Sequence, residues 1–168
     1  MKNNKVYKVF TPPKEWDNSV YLVNCELPLN VFLAGTIDNG DSLDWQSAVI
    51  NELNDFETKR AIIVYNPRRE NWDKEANHEE IDKQIDWELY HLERANLIVM
   101  NILGDSKSPI SLMELGLFAK EHKVIVFCPP TFYRYDNVRM VCKKYNVPLY
   151  DTNDILVIKN KILERANE

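Results

Sequence analysis

Apolar residues in this 168-residue chain gather in short unbroken runs: VFLAG at 31–35, AIIVYNP at 61–67, NLIVMNIL at 96–103 and KVIVFCPP at 123–130. Their β-branched content and lack of alternation predict strands covered on both faces, as in a parallel sheet. Between them, helical patterns span 44–56, 79–95 and 108–121. Strand and helix alternate, and parallel strands joined this way need right-handed crossovers. The expected architecture is therefore α/β, a doubly wound parallel sheet with helices on both faces. The remaining chain predicts a helix at 137–145, a short strand at VPLYD and a last helix over 154–166. Residues 1–30 read as an irregular N-terminal extension in which YLVNC alone has strand character, and 1–168 as a single domain.

Ligands of such sheets bind beyond the carboxyl ends of the strands, where strand order reverses. That directs attention to GTIDNGDSLDW, NPRRENWD, GDSKSPIS and CPPTFYRYD, segments whose Asp, Asn, Arg, Ser and aromatic content suits a polar small-molecule pocket. Composition narrows the partners. A net charge of −5 with no basic stripe excludes a general binder of nucleic-acid polymers. No apolar run approaches the roughly 20 residues that span a bilayer, and the N-terminus is too polar for a signal peptide, so no membrane partner and a cytoplasmic location are expected. Cys25, Cys128 and Cys142 form an odd, unpaired set that suits reduced thiols. Cys128 ends a strand and reads as a buried small residue. His78, His91 and His122 lack metal-ligand spacing and lie in charged helical contexts that predict surface positions. No Walker loop or Gly-x-Gly-x-x-Gly occurs, and neither a metal nor a cofactor is expected.

Two acids interrupt apolar stripes. In EEIDKQIDWELYHLERA the inward stripe can be written Ile81, Ile85, Leu89 and Leu92, and Glu88 projects into it. The alternative is a helix-end acid paired with Arg94 or a lysine. In SPISLMELGLFAK, Ser108 reads as an N-cap with Pro109 at the first helical position. Glu114 then faces the same side as Ile110, Leu117 and Phe118. It is either a capping-box acid, since Ser111 precedes it by three, or a carboxylate kept ionised near a helix N-terminus. Two carboxylates converging at a sheet edge are the equipment for cleaving a glycosidic or N-glycosidic bond through a covalent intermediate.

VFLAGTI, NPRRENWD, QIDWELYHLERANLIVMNI and SPISLMELGLFAK, in this order over about residues 31–130, resemble the nucleoside 2-deoxyribosyltransferase superfamily, specifically its 2-deoxyribosyltransferase-like branch. The resemblance implies a flavodoxin-like fold and a glutamate that attacks C1′ of a 2′-deoxynucleoside. Glu114, in its ELG motif, matches that nucleophile. Glu88 matches a second acid that holds and protonates the base, where better-known relatives have aspartate. Ala34 and Gly35 would admit substrate close to the backbone, with Thr36 and Asp38 lining its edge. Where the transferases carry an aspartate six residues before the nucleophile, this chain has Ser108. Those relatives are homo-oligomers that complete the pocket from a neighbouring subunit, so a homo-oligomer is expected, and some members of the branch hydrolyse nucleotides.

Further binding candidates follow from residue chemistry. Arg68 and Arg69 are either a solvated loop or a bidentate clamp on a 5′-phosphate. Trp45 and Trp72 could stack on a base or serve as packing anchors. Asn66 and Asp73 are candidates for sugar hydroxyls, and Ser108 and Ser111 for further substrate contacts. The expected partners are a small-molecule nucleoside or nucleotide and a nucleobase. The expected function is deoxyribosyl transfer between bases through a glutamyl intermediate, with nucleotide N-glycoside hydrolysis or non-catalytic nucleotide sensing as the alternatives.

Overall fold

The computed structural model describes residues 6–12, 27–69 and 77–168. In chain order the elements are β1 (Val6–Phe10), β2 (Leu29–Gly35), α1 (Trp45–Leu53), β3 (Ile62–Tyr65), α2 (His78–Arg94), β4 (Leu97–Asn101), α3 (Pro109–Phe118), β5 (Val124–Phe127), α4 (Tyr135–Tyr145), β6 (Leu149–Tyr150) and α5 (Ile155–Asn167). All strand pairings are parallel, in the order β1-β3-β2-β4-β5-β6. The β3-β2-β4-β5-β6 part is the flavodoxin-like doubly wound arrangement. One expectation is corrected at the N-terminus: Val6–Phe10 is an edge strand on β3, not irregular chain. A single five-residue segment with lysine in its middle carries too weak a pattern to be read as a buried strand, and pairing with β3 supplies what the pattern lacks. YLVNC lies outside the described residues.

Because side chains alternate across a strand, each run of apolar residues feeds both layers. Phe32, Ala34, Ile98, Met100, Val124 and Val126 point to the face covered by Leu92 of α2, Leu115 and Phe118 of α3, and Val138 and Cys142 of α4. Val31, Leu33, Val64, Leu97 and Val99 point to the opposite face, where Trp45, Val49 and Leu53 of α1 meet Ile158, Ile162 and Ala166 of α5. This two-sided burial is why the strands read as continuous apolar runs. From β2 the chain moves to β3 on one side, then returns past β2 to β4 on the other. The connections diverge between β2 and β4, which opens a crevice at their carboxyl ends.

Backbone chemistry keeps that crevice open. Gly35, which pairs with Asn101, has φ of +129°, and a Cβ there would lie 2.1 Å from the Asn101 carbonyl oxygen. Only glycine fits. After it, Thr36 N–H donates to the Asn101 oxygen at 3.0 Å, tying the two strand ends together. Among the described residues, no helix is long and apolar enough to cross a membrane.

Candidate functional site

A cavity of about 620 Å³ occupies this crevice. Its floor comes from the end of β2 and the following turn, Ala34 to Asn39. One wall is α2, through Gln84 and Glu88, and the other is the first two turns of α3, through Ser108, Ser111 and Glu114. Ile81, Ile85, Leu89, Ile110, Met113 and Leu117 form its rim, with Pro67 and Arg69 from the loop after β3.

Glu114 is buried in the second turn of α3. Ser111 is itself inside the helix, so the Ser-x-x-Glu spacing makes no capping box. Ser108 is the N-cap residue, with Pro109 first in the helix, as expected. Its side chain makes no cap hydrogen bond; the hydroxyl turns instead to Thr36 Oγ1 at 2.6 Å and Ser106 Oγ at 2.8 Å. The expectation that the helix dipole keeps Glu114 ionised is corrected. Loss of water, reinforced by the Glu88 charge, pushes its carboxyl up to about 8, so it holds a proton at neutral pH. A helix terminus is worth at most ~2 kcal/mol, and removing a carboxylate from water costs several.

Glu88 accepts a 2.7 Å hydrogen bond from Gln84 Nε2, one helical turn before it. Burial raises its carboxyl above the ordinary range, while the Gln84 bond and the Arg69 charge oppose that rise. Arg94 lies instead over the Tyr90 ring. The two acids thus belong to one electrostatic system, with the Gln84 bond and the Arg69 charge favouring the anion on Glu88 and the proton resting on Glu114.

The apolar stripe of α2 is also corrected. Leu92 enters the core, but Ile81, Ile85 and Leu89 remain exposed at the rim. Trp87 and His91 fill the layer they were expected to fill. His91 stacks on Tyr65 at 4.2 Å between centroids and meets Trp87 edge-on at 4.4 Å. It is buried, contrary to the surface position its charged context predicted, and desolvation lowers it to about 4. His78 and His122 are exposed, and Cys128 is buried.

Of the binding candidates, Ala34, Gly35, Thr36, Asp38, Arg69, Ser108 and Ser111 line the cavity with the two glutamates. Trp45, Asn66 and Arg68 do not. Trp45 is fully buried under the sheet, its Nε1 donating to Thr36 O at 3.0 Å, so it is a packing anchor. Asn66 is buried and accepts from the Arg68 backbone N–H at 3.0 Å. Arg68 donates to the carbonyls of Gly40 at 2.9 Å and Ser42 at 2.6 Å, binding together the turn between β2 and α1. Its donors are already committed, which removes the two-arginine clamp. Arg69 faces the cavity, and its Nε is buried without a hydrogen-bond partner among the described residues. Trp72 and Asp73 lie outside the described residues. Gln84 and Ser106 were missed. Gln84 was legible as the residue one turn before Glu88, whereas Ser106 sits in GDSKS with nothing local to distinguish it.

Comparison with known proteins bears on this site. A conserved protein from Enterococcus faecalis V583 is similar in structure, with a TM-score of 0.47, 12% identity, and coverage of 83% of this chain and 89% of that one. A comparison with curated proteins found no match. The sequence profile described as "Nucleoside 2-deoxyribosyltransferase like" matches residues 28–132, more than half the chain and every described segment that lines the cavity. The chain belongs to the nucleoside 2-deoxyribosyltransferase-like family.

Proposed function

We propose that the protein cleaves the N-glycosidic bond of 2′-deoxynucleosides or their 5′-monophosphates and transfers the deoxyribosyl group to another nucleobase. The observation that carries this reading is the convergence of Glu88 and Glu114, from different helices, on one cavity at the strand switch point. In this mechanism the Glu114 carboxylate attacks C1′ while the C1′–N bond breaks and its electron pair passes to the ring nitrogen. Glu88, or a water it orients, donates a proton there. An incoming base then attacks C1′, the ester bond to Glu114 breaks, and Glu88 takes the proton of the incoming ring N–H.

The resting proton on Glu114 fits this scheme. Catalysis needs one proton on the pair, positioned on Glu88 with Glu114 bare, and the singly protonated pair contains both arrangements. The rim supports a homo-oligomer: Ile110, Met113 and Leu117 are 55%, 56% and 55% exposed beside Ile81, Ile85 and Leu89, an apolar surface that a neighbouring subunit would cover. Buried thiols at Cys128 and Cys142 suit a reducing, cytoplasmic setting. The presence of Ser108 in place of an acid favours a second reading, hydrolysis or sensing of nucleotides without base exchange.

Chromatography of purified protein with each 2′-deoxynucleoside or 5′-monophosphate, with and without a different free base, separates these readings. Exchange marks a transferase, base release alone a hydrolase, and tight binding without product a sensor. Glu114→Ala is expected to lower turnover by about 10³-fold or more, and full activity in that variant overturns the nucleophile assignment.

A further inference from the structure

Arg69 is the one cation among the described residues that line the cavity, whose acids are Asp38, Glu88 and Glu114. Its neighbour shows what a committed arginine looks like in this loop: Arg68 donates to the carbonyls of Gly40, Ser42 and Leu43 and lies 3.7 Å from Asp44. Arg69 has no such set. Among the described residues its side chain makes one hydrogen bond, a long one of 3.5 Å from Nη2 to Glu80 O, and its buried Nε has no partner. A guanidinium carries five N–H donors and no acceptor, and it stays charged. A buried donor without a partner is costly, so an acceptor brought in by a ligand is gained there at full value. The Glu80 contact holds the guanidinium over the first turns of α2, and Gln84, whose Nε2 is turned to Glu88, lies along the helix between them. The Arg69 charge opposes the rise of the Glu88 carboxyl, whereas Glu114 is raised by burial and by Glu88. Arg69 therefore belongs to the end of the cavity that holds the proton donor, not to the end that holds the nucleophile. Ile81 and Ile85 line the same stretch of α2 and offer a flat ring an apolar surface.

When the C1′–N bond breaks, its electron pair passes to the ring nitrogen, and in a base with a conjugated carbonyl part of that charge moves on to the carbonyl oxygen. A fixed cation beside the departing base meets this charge as it develops. We infer that Arg69 is a further catalytic residue: its guanidinium donates hydrogen bonds to the carbonyl oxygen of the departing base and stabilises the charge that builds there, which makes the protein selective for bases with a carbonyl conjugated to the glycosidic nitrogen over adenine, which has none. Arg69 keeps all its protons throughout, and the one proton the base receives comes from Glu88. The same cation makes Glu88 a stronger acid, so both groups drive departure in one direction. Adenine would set its amino donor against a group that can only donate, leaving both unpaired. The reaction served rests on the proposed function; the placement of an uncommitted cation beside Glu88 does not.

Two substrate series test the inference. In single-turnover kinetics, 2′-deoxyuridines bearing fluorine, hydrogen or methyl at carbon 5 differ little in shape while their bases differ in acidity. Arg69→Met, which removes the donors and the charge, should slow cleavage of the methyl compound by about 10²-fold or more and that of the fluoro compound several-fold less, so that the dependence on base acidity steepens. Arg69→Lys should return part of the loss. A folded Arg69→Met that slows all three equally, or none, overturns the catalytic role. In the second series, kcat/KM of the unaltered protein should favour 2′-deoxyinosine over 2′-deoxyadenosine by about tenfold or more, and Arg69→Met should narrow that ratio several-fold. A preference for 2′-deoxyadenosine, or an unmoved ratio, overturns the selectivity. A phosphate seated on Arg69 would appear instead as a loss confined to 5′-monophosphates and alike for every base, which also overturns the inference. Turnover of none of these substrates counts against the proposed function and takes the role of Arg69 with it, whereas an active protein whose series are unmoved in Arg69→Met leaves that function standing and removes Arg69 alone.

Discussion

The proton on Glu114 links stability to pH. Its carboxyl is raised from the ordinary 4.5 to about 8 by burial and by Glu88. Between those values the folded protein holds a proton that the unfolded chain has released, so unfolding releases protons and stability falls as pH rises. Below the unfolded value both states are protonated and the effect vanishes. The full cost, at most roughly 5 kcal/mol, is present above pH 8. Glu114→Gln, which cannot ionise, should therefore melt close to the unaltered protein near pH 5 and at a clearly higher temperature at pH 9; equal pH dependence of the two melting curves removes the linkage. Activity should follow a bell whose alkaline limb lies near 8, where the pair loses its last proton, and whose acid limb lies above the ordinary glutamate range because Glu88 is raised too. The anomaly of an acid among Leu112, Met113, Leu115 and Leu117 was legible in sequence order alone. Its protonation was not, because desolvation depends on α2 and the β2 turn closing over it.

Among the elements, the turn from β2 into α1 shapes the cavity floor, and the Arg68 side chain, outside the cavity, holds it. Arg68 gathers the carbonyls of Gly40, Ser42 and Leu43 and lies 3.7 Å from Asp44, the N-cap of α1. Arg68→Ala should cost about 1–3 kcal/mol and weaken substrate binding more than it slows the chemical step, a split visible in steady-state kinetics. Gly35→Ala should be harsher. The new methyl would meet Asn101 at 2.1 Å in a backbone conformation that L-residues avoid, a penalty of about 3 kcal/mol or more that denaturant unfolding would register. The helix and strand assignments were readable because each apolar run is unbroken and alternates with a helical pattern. The rotation of α2 was not. Its isoleucine stripe has the right spacing for a core face, but Trp87 and His91 pack on Phe32 and Tyr65 and take that place.

For the whole molecule, the exposed rim of α2 and α3 carries the expectation of self-association. Leu117→Glu puts a charge into that apolar surface and should shift the protein toward monomer in sedimentation velocity, while an unaltered oligomer would place the interface elsewhere. What the sequence determined by itself is the sheet, since burial on both faces writes unbroken apolar runs into the chain, and the identity of the two acids, since a carboxylate on an apolar stripe is visible without coordinates. The edge strand β1 escaped it because its partner β3 lies more than fifty residues away. Only the tertiary structure decided which of two adjacent arginines faces the cavity, that Trp45 packs beneath the sheet, and that Thr36, Ser106 and Ser108 close one ring. The physical reason is range: periodicity records which residues leave water, whereas hydrogen-bond direction and pKa depend on atoms brought together from distant parts of the chain.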